Sequence, residues 1–360
     1  MNTHGHSDVR RHTRTETNTP TSAGRRFATL AAIPVLVVVL LGALAGCANN
    51  STGNEEAVRD DGSVDLSKVT LVVGDQLGGS KALLQAAGLL EDVEYDIEWK
   101  EFSSGPPLLE AMNAGSIHVG GVGNTPPLFA AAAKGEFKVV QAATYGGLGD
   151  AIVVPPGSEI TSIADLAGKK VAVAEGSSAN YNLLAQLDDA GLTYDDVEIQ
   201  NLQPADALAA FSAGHVDAWA IWEPFTSQAE KDAGAKVIAD GSNLTNGYAF
   251  QVASNAAVDD AATDAALQDY LARIAAAQVW SQTHQEEWSK AWADETGLDP
   301  AVTLAAVNKR DVETLPVDDA VIASEQEMAD AFADAGLIPE QIDISGYFSD
   351  EFNDIAVAEG

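Results

Sequence analysis

Four short loops combine glycine with hydroxyl or amide side chains, and each is followed by a helical pattern. They lie at residues 74–80, 103–107, 123–127 and 175–178. Each loop follows a β-branched run, so its small polar residues fall where a strand gives way to a helix. Unpaired N–H groups and the positive end of the helix dipole point outwards at such a position. Helix starts of this kind bind anions without any lysine or arginine, so we expect the loops to bind a small anion.

The candidate ligand-binding residues are the polar and glycine positions of these loops. They are Gln76, Ser104, Gly105, Asn124, Thr125, Ser177 and Ser178. Any one loop taken alone is compatible with an ordinary helix cap or turn. Four loops at the ends of strands favour a binding site, because open α/β sheets bind ligands at the carboxyl ends of their strands.

A fifth segment, residues 216–224, adds aromatic and acidic side chains to the candidate site. Trp219 and Trp222 lie an odd number of residues apart, so a strand places them on opposite faces. Trp222 is nearer the end of the strand, and we expect it to wall the cleft and cover an apolar part of the ligand, while core packing accounts for Trp219. Glu223 is a poor neighbour for an anion and would suit a ligand amine or a backbone N–H group.

The elements that must position these residues alternate β-branched runs with stretches rich in alanine and leucine. The predicted strands are 69–74, 95–100, 117–122, 138–144, 151–154, 170–174, 197–202, 216–221, 236–239 and 248–253. The predicted helices are 80–90, 106–114, 125–134, 178–190, 204–213 and 224–232, and the chain is predicted helical after 253. Strands separated by helices of this length indicate βαβ units and a parallel sheet. Ser80 is predicted to cap the first helix.

This alternation predicts an α/β fold of two lobes, each a mostly parallel sheet flanked by helices, with a helical C-terminal tail. We expect residues 67–150 and 248–360 to form lobe 1, because the tail must pack back on the fold, and residues 151–247 to form lobe 2. The ligand cleft would lie between the lobes. Residues 47–66 are polar without periodicity and predict a flexible tether, with ordered structure beginning at Lys68.

The amino-terminal region predicts export from the cytoplasm. Residues 1–26 are polar with five arginines, residues 27–46 are apolar and end in small residues, and Cys47 follows. This order predicts a secretory signal peptide over residues 1–46. The small residues before the cysteine resemble the lipobox of bacterial lipoproteins. The resemblance implies that Cys47 is acylated, becomes the first mature residue and holds the protein on the outer face of the cell membrane.

A membrane-spanning anchor is the alternative for this apolar stretch, since about 20 apolar residues can cross a bilayer. Both interpretations place the body of the protein outside the cytoplasm. The Arg25-Arg26 pair is typical of twin-arginine export, but Ala28 and Thr29 stand where that signal prefers apolar bulk. The sequence therefore leaves Sec and Tat export both open.

Composition excludes several classes of function. The whole chain has a net charge of −35, and its first 46 residues hold five arginines, one aspartate and one glutamate (+3), which leaves −38 for the rest. Such a surface repels nucleic acid and anionic lipid headgroups. Cys47 is the only cysteine, so no intrachain disulfide can form. His118, His215 and His284 are far apart in sequence, so we expect no metal site and no cofactor.

Several motifs together resemble the aliphatic-sulfonate-binding proteins of ABC importers. The matching segments are 101–117, 121–127, 165–173, 176–178, 202–207 and 216–224. They follow the order and spacing of that family over about residues 69–255, and the tail matches loosely. The resemblance implies a type II periplasmic-binding-protein fold without catalysis, which takes an alkanesulfonate into the inter-lobe cleft and delivers it to an ABC permease. We expect the protein to act as a monomer.

Two positions depart from the pattern of that family, which usually has aspartate where His118 and Asn124 stand. Asn124 offers a donor in place of a carboxylate, which favours an anion if the side chain faces the cleft, and His118 is interpreted as structural. The alternative ligands on this scaffold are nitrate, a thiamine-precursor pyrimidine, and taurine, whose amine Glu223 or Asp75 could meet.

Two other classes of protein fit the sequence less well. A desulfinase of a related fold needs a cysteine in its cleft, and Cys47 lies in the leader, so we do not expect an enzyme. A purely structural surface protein would not need four polar loops at the ends of strands.

Overall fold

The strands form two separate sheets in the computed structural model, which describes residues 53–356. The strands are β1 (Thr70–Gln76), β2 (Asp96–Phe102), β3 (Val119–Gly123), β4 (Phe137–Thr144), β5 (Asp150–Val154), β6 (Lys170–Val173), β7 (Glu198–Asn201), β8 (Ala218–Trp222), β9 (Lys236–Asp240), β10 (Tyr248–Ser254) and β11 (Glu313–Leu315). The first sheet has the order β11-β4-β10-β3-β1-β2, and the second has the order β7-β6-β8-β5-β9. The chain thus leaves the first sheet after β4 and re-enters it at β10.

Helices cover both faces of each sheet. They are α1 (Ser80–Ala86), α2 (Gly105–Asn113), α3 (Pro126–Ala132), α4 (Ser178–Asp189), α5 (Pro204–Ser212), α6 (Phe225–Ala233), α7 (Asn255–Asp259), α8 (Ala261–Ser281), α9 (Gln285–Thr296), α10 (Pro300–Asn308), α11 (Asp319–Asp334) and α12 (Asn353–Ala356). We call the first sheet with α1–α3 and α7–α12 lobe 1, and the second sheet with α4–α6 lobe 2.

Both sheets are mixed, with one direction dominant. In the first sheet β1 pairs in parallel with β2 and β3, whereas β10 runs antiparallel between β3 and β4. In the second sheet β6 pairs in parallel with β7 and β8, whereas β5 runs antiparallel between β8 and β9. The expected α/β fold of two sheets flanked by helices is confirmed.

Two hydrophobic cores lie on the two faces of the first sheet. One core packs α1, α8, α9 and α10 against β1, and its largest side chains are Tyr270, Trp288 and Trp292. The other packs α2, α3 and α11 against the opposite face. Burial of large aromatic surface is what draws the helical tail back onto lobe 1.

The ten strands predicted from sequence are all present, with ends that differ by one or two residues. The helix predicted at 80–90 ends earlier, at Ala86, because Gly88 adopts a left-handed φ of 69° and the amide of Leu89 bonds to Leu84 O. The tail after residue 253 was predicted to be helical throughout, and this prediction is wrong for residues 313–315. Strand β11 interrupts the tail by adding to the free edge of β4.

The cap of α1 was predicted wrongly. Gly79, not Ser80, is the residue before the helix. The carboxylate of Asp75 accepts hydrogen bonds from the amides of Ser80 (2.8 Å) and Lys81 (3.0 Å). A side chain four residues upstream of the helix boundary therefore satisfies the amides that a serine cap would have taken.

The segment before β1 is packed on lobe 1, so the prediction of a flexible tether is wrong for residues 54–66. Asn54 is buried, and its Nδ2 donates to Thr263 Oγ1 (2.8 Å) and to Thr70 O (3.1 Å). Ala57 is buried in the same core, and Val58 pairs with Val64. The side chain of Asn54 therefore holds residues 54–66 on lobe 1 through partners that are distant in the chain. Such partners leave no periodic pattern in the sequence, so the packing of this segment could not be predicted. Residues 47–52 of the predicted tether lie outside the described residues.

His118 lies at the start of β3 and away from the lobe junction. Its Nδ1 accepts a hydrogen bond from the amide of Val72 at 3.1 Å. Burial lowers the pKa of His118, which agrees with a neutral ring that accepts at Nδ1. The residue thus ties β1 to β3.

Across residues 53–356, no helix combines the length and apolar character needed to cross a membrane. The predicted signal peptide and Cys47 lie outside the described residues.

Candidate functional site

A cavity of about 190 Å³ lies between the two lobes. Lobe 1 contributes the loop after β1, the end of β3 and side chains from β10, α8 and α9. Lobe 2 contributes Asp150, Ser177, Ser178, Trp222 and Glu223. The volume is below the range of about 300–1,000 Å³ that is typical of drug-sized ligands, so the cavity suits a small molecule.

The cation of this cavity is Arg310, which sequence reasoning missed. Its guanidinium carbon lies 4.6 Å from the ring centre of Trp292, 5.4 Å from that of Trp288 and 5.3 Å from that of Tyr145. Cation–π attraction to the three rings orients the planar group. Burial lowers the pKa of Arg310, and Tyr145, Glu223 and Asp150 oppose that shift.

Arg310 has no ion pair with any carboxylate in residues 53–356. An arginine stays protonated in proteins, so the cavity contains a half-buried positive charge that lacks a direct counter-ion. Such a charge favours an anionic ligand. The adjacent basic pair Lys309-Arg310 was a signal in the sequence, since residues 248–360 contain only four basic residues.

The helix starts at this cleft have fewer free amides than the sequence predicts. Helices α2 and α3 each have two prolines in their first turn, and proline has no N–H to donate. In α1 the first amides are bound by Asp75. In α4 the Asn180 amide is bound by Ser177 Oγ. Arg310 adds to these helix starts a positive charge that the sequence analysis did not include.

Six of the nine residues predicted for the ligand site line the cavity. They are Gln76, Gly105, Ser177, Ser178, Trp222 and Glu223. The other three, Ser104, Asn124 and Thr125, are buried outside it.

Three predicted polar residues of the cavity wall, Gln76, Ser177 and Ser178, already have protein partners. Gln76 Nε2 donates to Gly121 O at 2.8 Å. Ser177 Oγ donates to Ala174 O at 2.6 Å and caps α4. Ser178 Oγ donates to Asp150 Oδ1 at 2.8 Å. These bonds hold the wall in place before any ligand enters.

The three residues outside the cavity make structural contacts. Ser104 Oγ donates to Gln203 Oε1 at 2.8 Å and so joins lobe 1 to lobe 2. Asn124 Nδ2 donates to Asn246 Oδ1 at 2.8 Å, and its Oδ1 accepts from Thr125 Oγ1 at 3.0 Å. Asn124 is therefore buried against Asn246 and Thr125 and is not one of the residues that line the cavity.

The two tryptophans of β8 lie in different surroundings. Trp222 lines the cavity and packs edge-on against Phe225, with ring centres 6.0 Å apart. Trp219 is fully buried in the core of lobe 2, where it contacts Phe211.

Three carboxylates line the same cavity: Asp75, Asp150 and Glu223. Burial raises the pKa of Asp75 and of Asp150 to about 7. Glu223 forms an ion pair of 2.7 Å with Lys309, the residue that precedes Arg310. Within the described chain, no three histidine, cysteine or acidic side chains come close enough to hold a metal ion.

Two α/β lobes that enclose a small charged cavity define a solute-binding protein of the periplasmic-binding-protein fold. The chain belongs to the NMT1/THI5-like family, whose model matches residues 59–260.

The chain is similar to a curated protein from Escherichia coli K12 named a putative aliphatic sulfonates-binding protein, with 36% identity over 78% of this chain and 89% of that one. Among solved structures, the alkanesulfonate-binding protein SsuA from Xanthomonas axonopodis pv. citri, bound to MOPS, has a TM-score of 0.73. It is 35% identical over 78% of this chain and 98% of that one. The periplasmic aliphatic sulphonate binding protein SsuA from Escherichia coli has a TM-score of 0.69 and 35% identity over 81% and 94% of the two chains.

Proposed function

We propose that this protein is an extracytoplasmic solute-binding protein that captures an aliphatic sulfonate between its lobes and delivers it to an ABC permease. The observation that carries the proposal is the half-buried guanidinium of Arg310, which lines the cavity without an ion pair. A guanidinium can donate two parallel hydrogen bonds to an oxyanion, and a sulfonate offers three oxygens. The names of the similar proteins support the same class of ligand.

The rest of the wall supports an organic anion over an inorganic one. Apolar surface from Leu77, Leu83, Trp222 and Ile274 faces the cavity. A short alkyl chain would bury against these side chains, which sulfate and nitrate cannot do. The cavity wall contains neither cysteine nor histidine, which supports binding rather than catalysis.

The predicted membrane attachment is part of the proposal. Cleavage before Cys47 and acylation of its thiol would leave only five residues between the lipid-bearing residue and Gly53. An extended chain of that length spans roughly 20 Å, so the body of the protein would stay close to the membrane surface. Replacement of Cys47 by alanine should move the protein from the detergent phase to the aqueous phase, and we expect the released protein to be monomeric.

Titration calorimetry on the full-length chain in mild detergent tests the ligand. Ethanesulfonate, taurine, sulfate and nitrate would be compared in parallel for the unaltered protein and for Arg310→Gln. We expect a sulfonate to bind and the substitution to abolish that binding. Arg59→Gln removes an exposed arginine and serves as the matched control. Failure of both sulfonates to bind, or equal binding by Arg310→Gln, would refute the proposal.

A further inference from the structure

The three carboxylates of the cavity differ in how many of their oxygens are already bonded. Asp75 uses both oxygens, which accept from the amides of Ser80 and Lys81. Glu223 also uses both, because Oε1 pairs with Lys309 at 2.7 Å and Oε2 accepts from the amide of Ser227 at 3.2 Å. These bonds already stabilise both carboxylates in the absence of a ligand.

Asp150 is the exception. It is the first residue of β5, is 8% exposed and uses only Oδ1, which accepts from Ser178 Oγ at 2.8 Å. Among the described residues no donor contacts its Oδ2. Asp150 lines the cavity, and a carboxylate oxygen that has no partner there favours a ligand that can donate to it.

The charged groups around Asp150 come from two other elements. Arg310 follows α10 and attracts it, and Glu223 follows β8 and repels it. Glu223 is held by Lys309, and no ion pair joins Arg310 to Asp150. Among the described residues neither Arg310 nor Asp150 has an ion pair. Asp75 has none either, but amides of the first turn of α1 bind both of its oxygens. Asp150 lies on lobe 2 while Arg310 lies on lobe 1.

We infer that the cavity recognises an aminoalkanesulfonate, with the sulfonate on Arg310 and the ammonium on Asp150. This inference rests on the proposed function and narrows its substrate class to zwitterions. A zwitterion supplies a counter-charge to both Arg310 and Asp150, whereas a plain alkanesulfonate leaves the carboxylate of Asp150 unpaired beside an anion. Because the two groups belong to different lobes, such a ligand also bridges the cleft.

The inference predicts opposite pH dependences for two ligands that differ only in an amino group. Burial raises the pKa of Asp150 to about 7, so the ionised carboxylate that an ammonium needs is depleted as pH falls. The affinity for taurine should fall about tenfold from pH 8 to pH 6, because the competent fraction falls by that factor. The affinity for ethanesulfonate should rise over the same range, because protonation removes a negative charge next to the sulfonate.

Calorimetry on the full-length chain, with taurine and ethanesulfonate at pH 6, 7 and 8, tests this inference. We expect Asp150→Asn to weaken taurine binding about tenfold or more, to strengthen ethanesulfonate binding and to reduce both pH trends to the contribution that Asp75 leaves. Asp195→Asn, which changes an exposed aspartate of lobe 2, is the matched control. If Asp150→Asn does not fold, the pH trends of the unaltered protein decide the question.

The outcomes separate this inference from the proposed function. Tighter binding of ethanesulfonate than of taurine at all three pH values would overturn the inference while the sulfonate function stands. Equal effects of Asp150→Asn on both ligands would overturn it as well. Binding of neither ligand would instead remove the proposed function, and the inference with it.

Discussion

The ammonium of Lys309 lies 2.7 Å from Oε1 of Glu223 and so joins the end of α10 in lobe 1 to the end of β8 in lobe 2. The same ammonium contacts Glu230 of α6 at 3.0 Å. The next residue along the chain is Arg310, which lines the cavity. One short segment therefore carries both a contact between the lobes and the cation of the cavity.

Replacement of Lys309 by methionine should weaken sulfonate binding by about tenfold or more. The substitution leaves the buried Glu223 without its counter-charge beside an anion site, and breaking a buried pair costs far more than losing an exposed one. Titration calorimetry measures the effect. Lys231→Met is the matched control, because Lys231 pairs with Asp299 across the same two helices but is exposed, and exposed pairs contribute about 0–1 kcal/mol. Equal losses in the two variants would contradict the prediction.

Replacement of Gln203 by alanine should weaken the binding of every ligand by a similar factor. Ser103 and Ser104 both donate to Gln203 Oε1, at 2.9 and 2.8 Å, and these bonds join the lobes outside the cavity. Their loss should shift the protein towards an open form, and hydrogen bonds of about 0.5–1.5 kcal/mol correspond to a factor of roughly 2–12 in affinity. Calorimetry with two sulfonates checks this. A change for one ligand alone would show that Gln203 acts on the ligand and not on closure.

The two tryptophans of β8 should give different results when each is replaced by alanine. Trp219→Ala opens a void in the core of lobe 2 and should lower the free energy of unfolding by about 3–5 kcal/mol. Trp222→Ala removes part of the cavity wall and should reduce sulfonate affinity with a smaller loss of stability. Denaturant unfolding and calorimetry on both variants distinguish the two roles. Unaltered affinity in Trp222→Ala would exclude it from the site.

Replacement of Asn54 by alanine should lower the free energy of unfolding by about 1–3 kcal/mol, because it leaves buried partners on β1 and α8 unsatisfied. Ser67→Ala changes an exposed residue of the same segment and should stay within about 0.5 kcal/mol. Urea unfolding of both variants gives the comparison. If the two variants are equally stable, residues 54–66 do not contribute to lobe 1 as the contacts indicate.

His118 should make the stability of the fold sensitive to acid. Burial lowers the pKa of the folded state, and the unfolded value is about 6.5, so protonation favours the unfolded chain. The contribution is therefore present above pH 6.5 and is lost as pH falls below it. The free energy of unfolding between pH 7.5 and pH 5 should decline less in His118→Asn than in the unaltered protein. Parallel pH profiles would rule out this role.

Local patterns were enough to predict most of the fold. The strand predicted at 69–74 forms as Thr70–Gln76, and the helix predicted at 178–190 forms as Ser178–Asp189. Runs of β-branched residues and the spacing of apolar residues depend on neighbours within a few positions, so they can be read without tertiary contacts. The three-residue strand β11 was missed because it forms only by adding to the edge of β4.

The sequence by itself determined the two-lobed α/β architecture, the polar loops at the ends of strands and the face that Trp222 presents. Only the tertiary structure decided which polar groups reach the cavity. Asn124 donates a hydrogen bond to Asn246, which is distant in the chain. The guanidinium of Arg310 lies over the rings of Tyr145 and Trp292, which belong to two other segments. The physical reason is that a polar side chain is oriented by whichever partner satisfies its hydrogen bonds or charge, and those partners come from residues that no local pattern links.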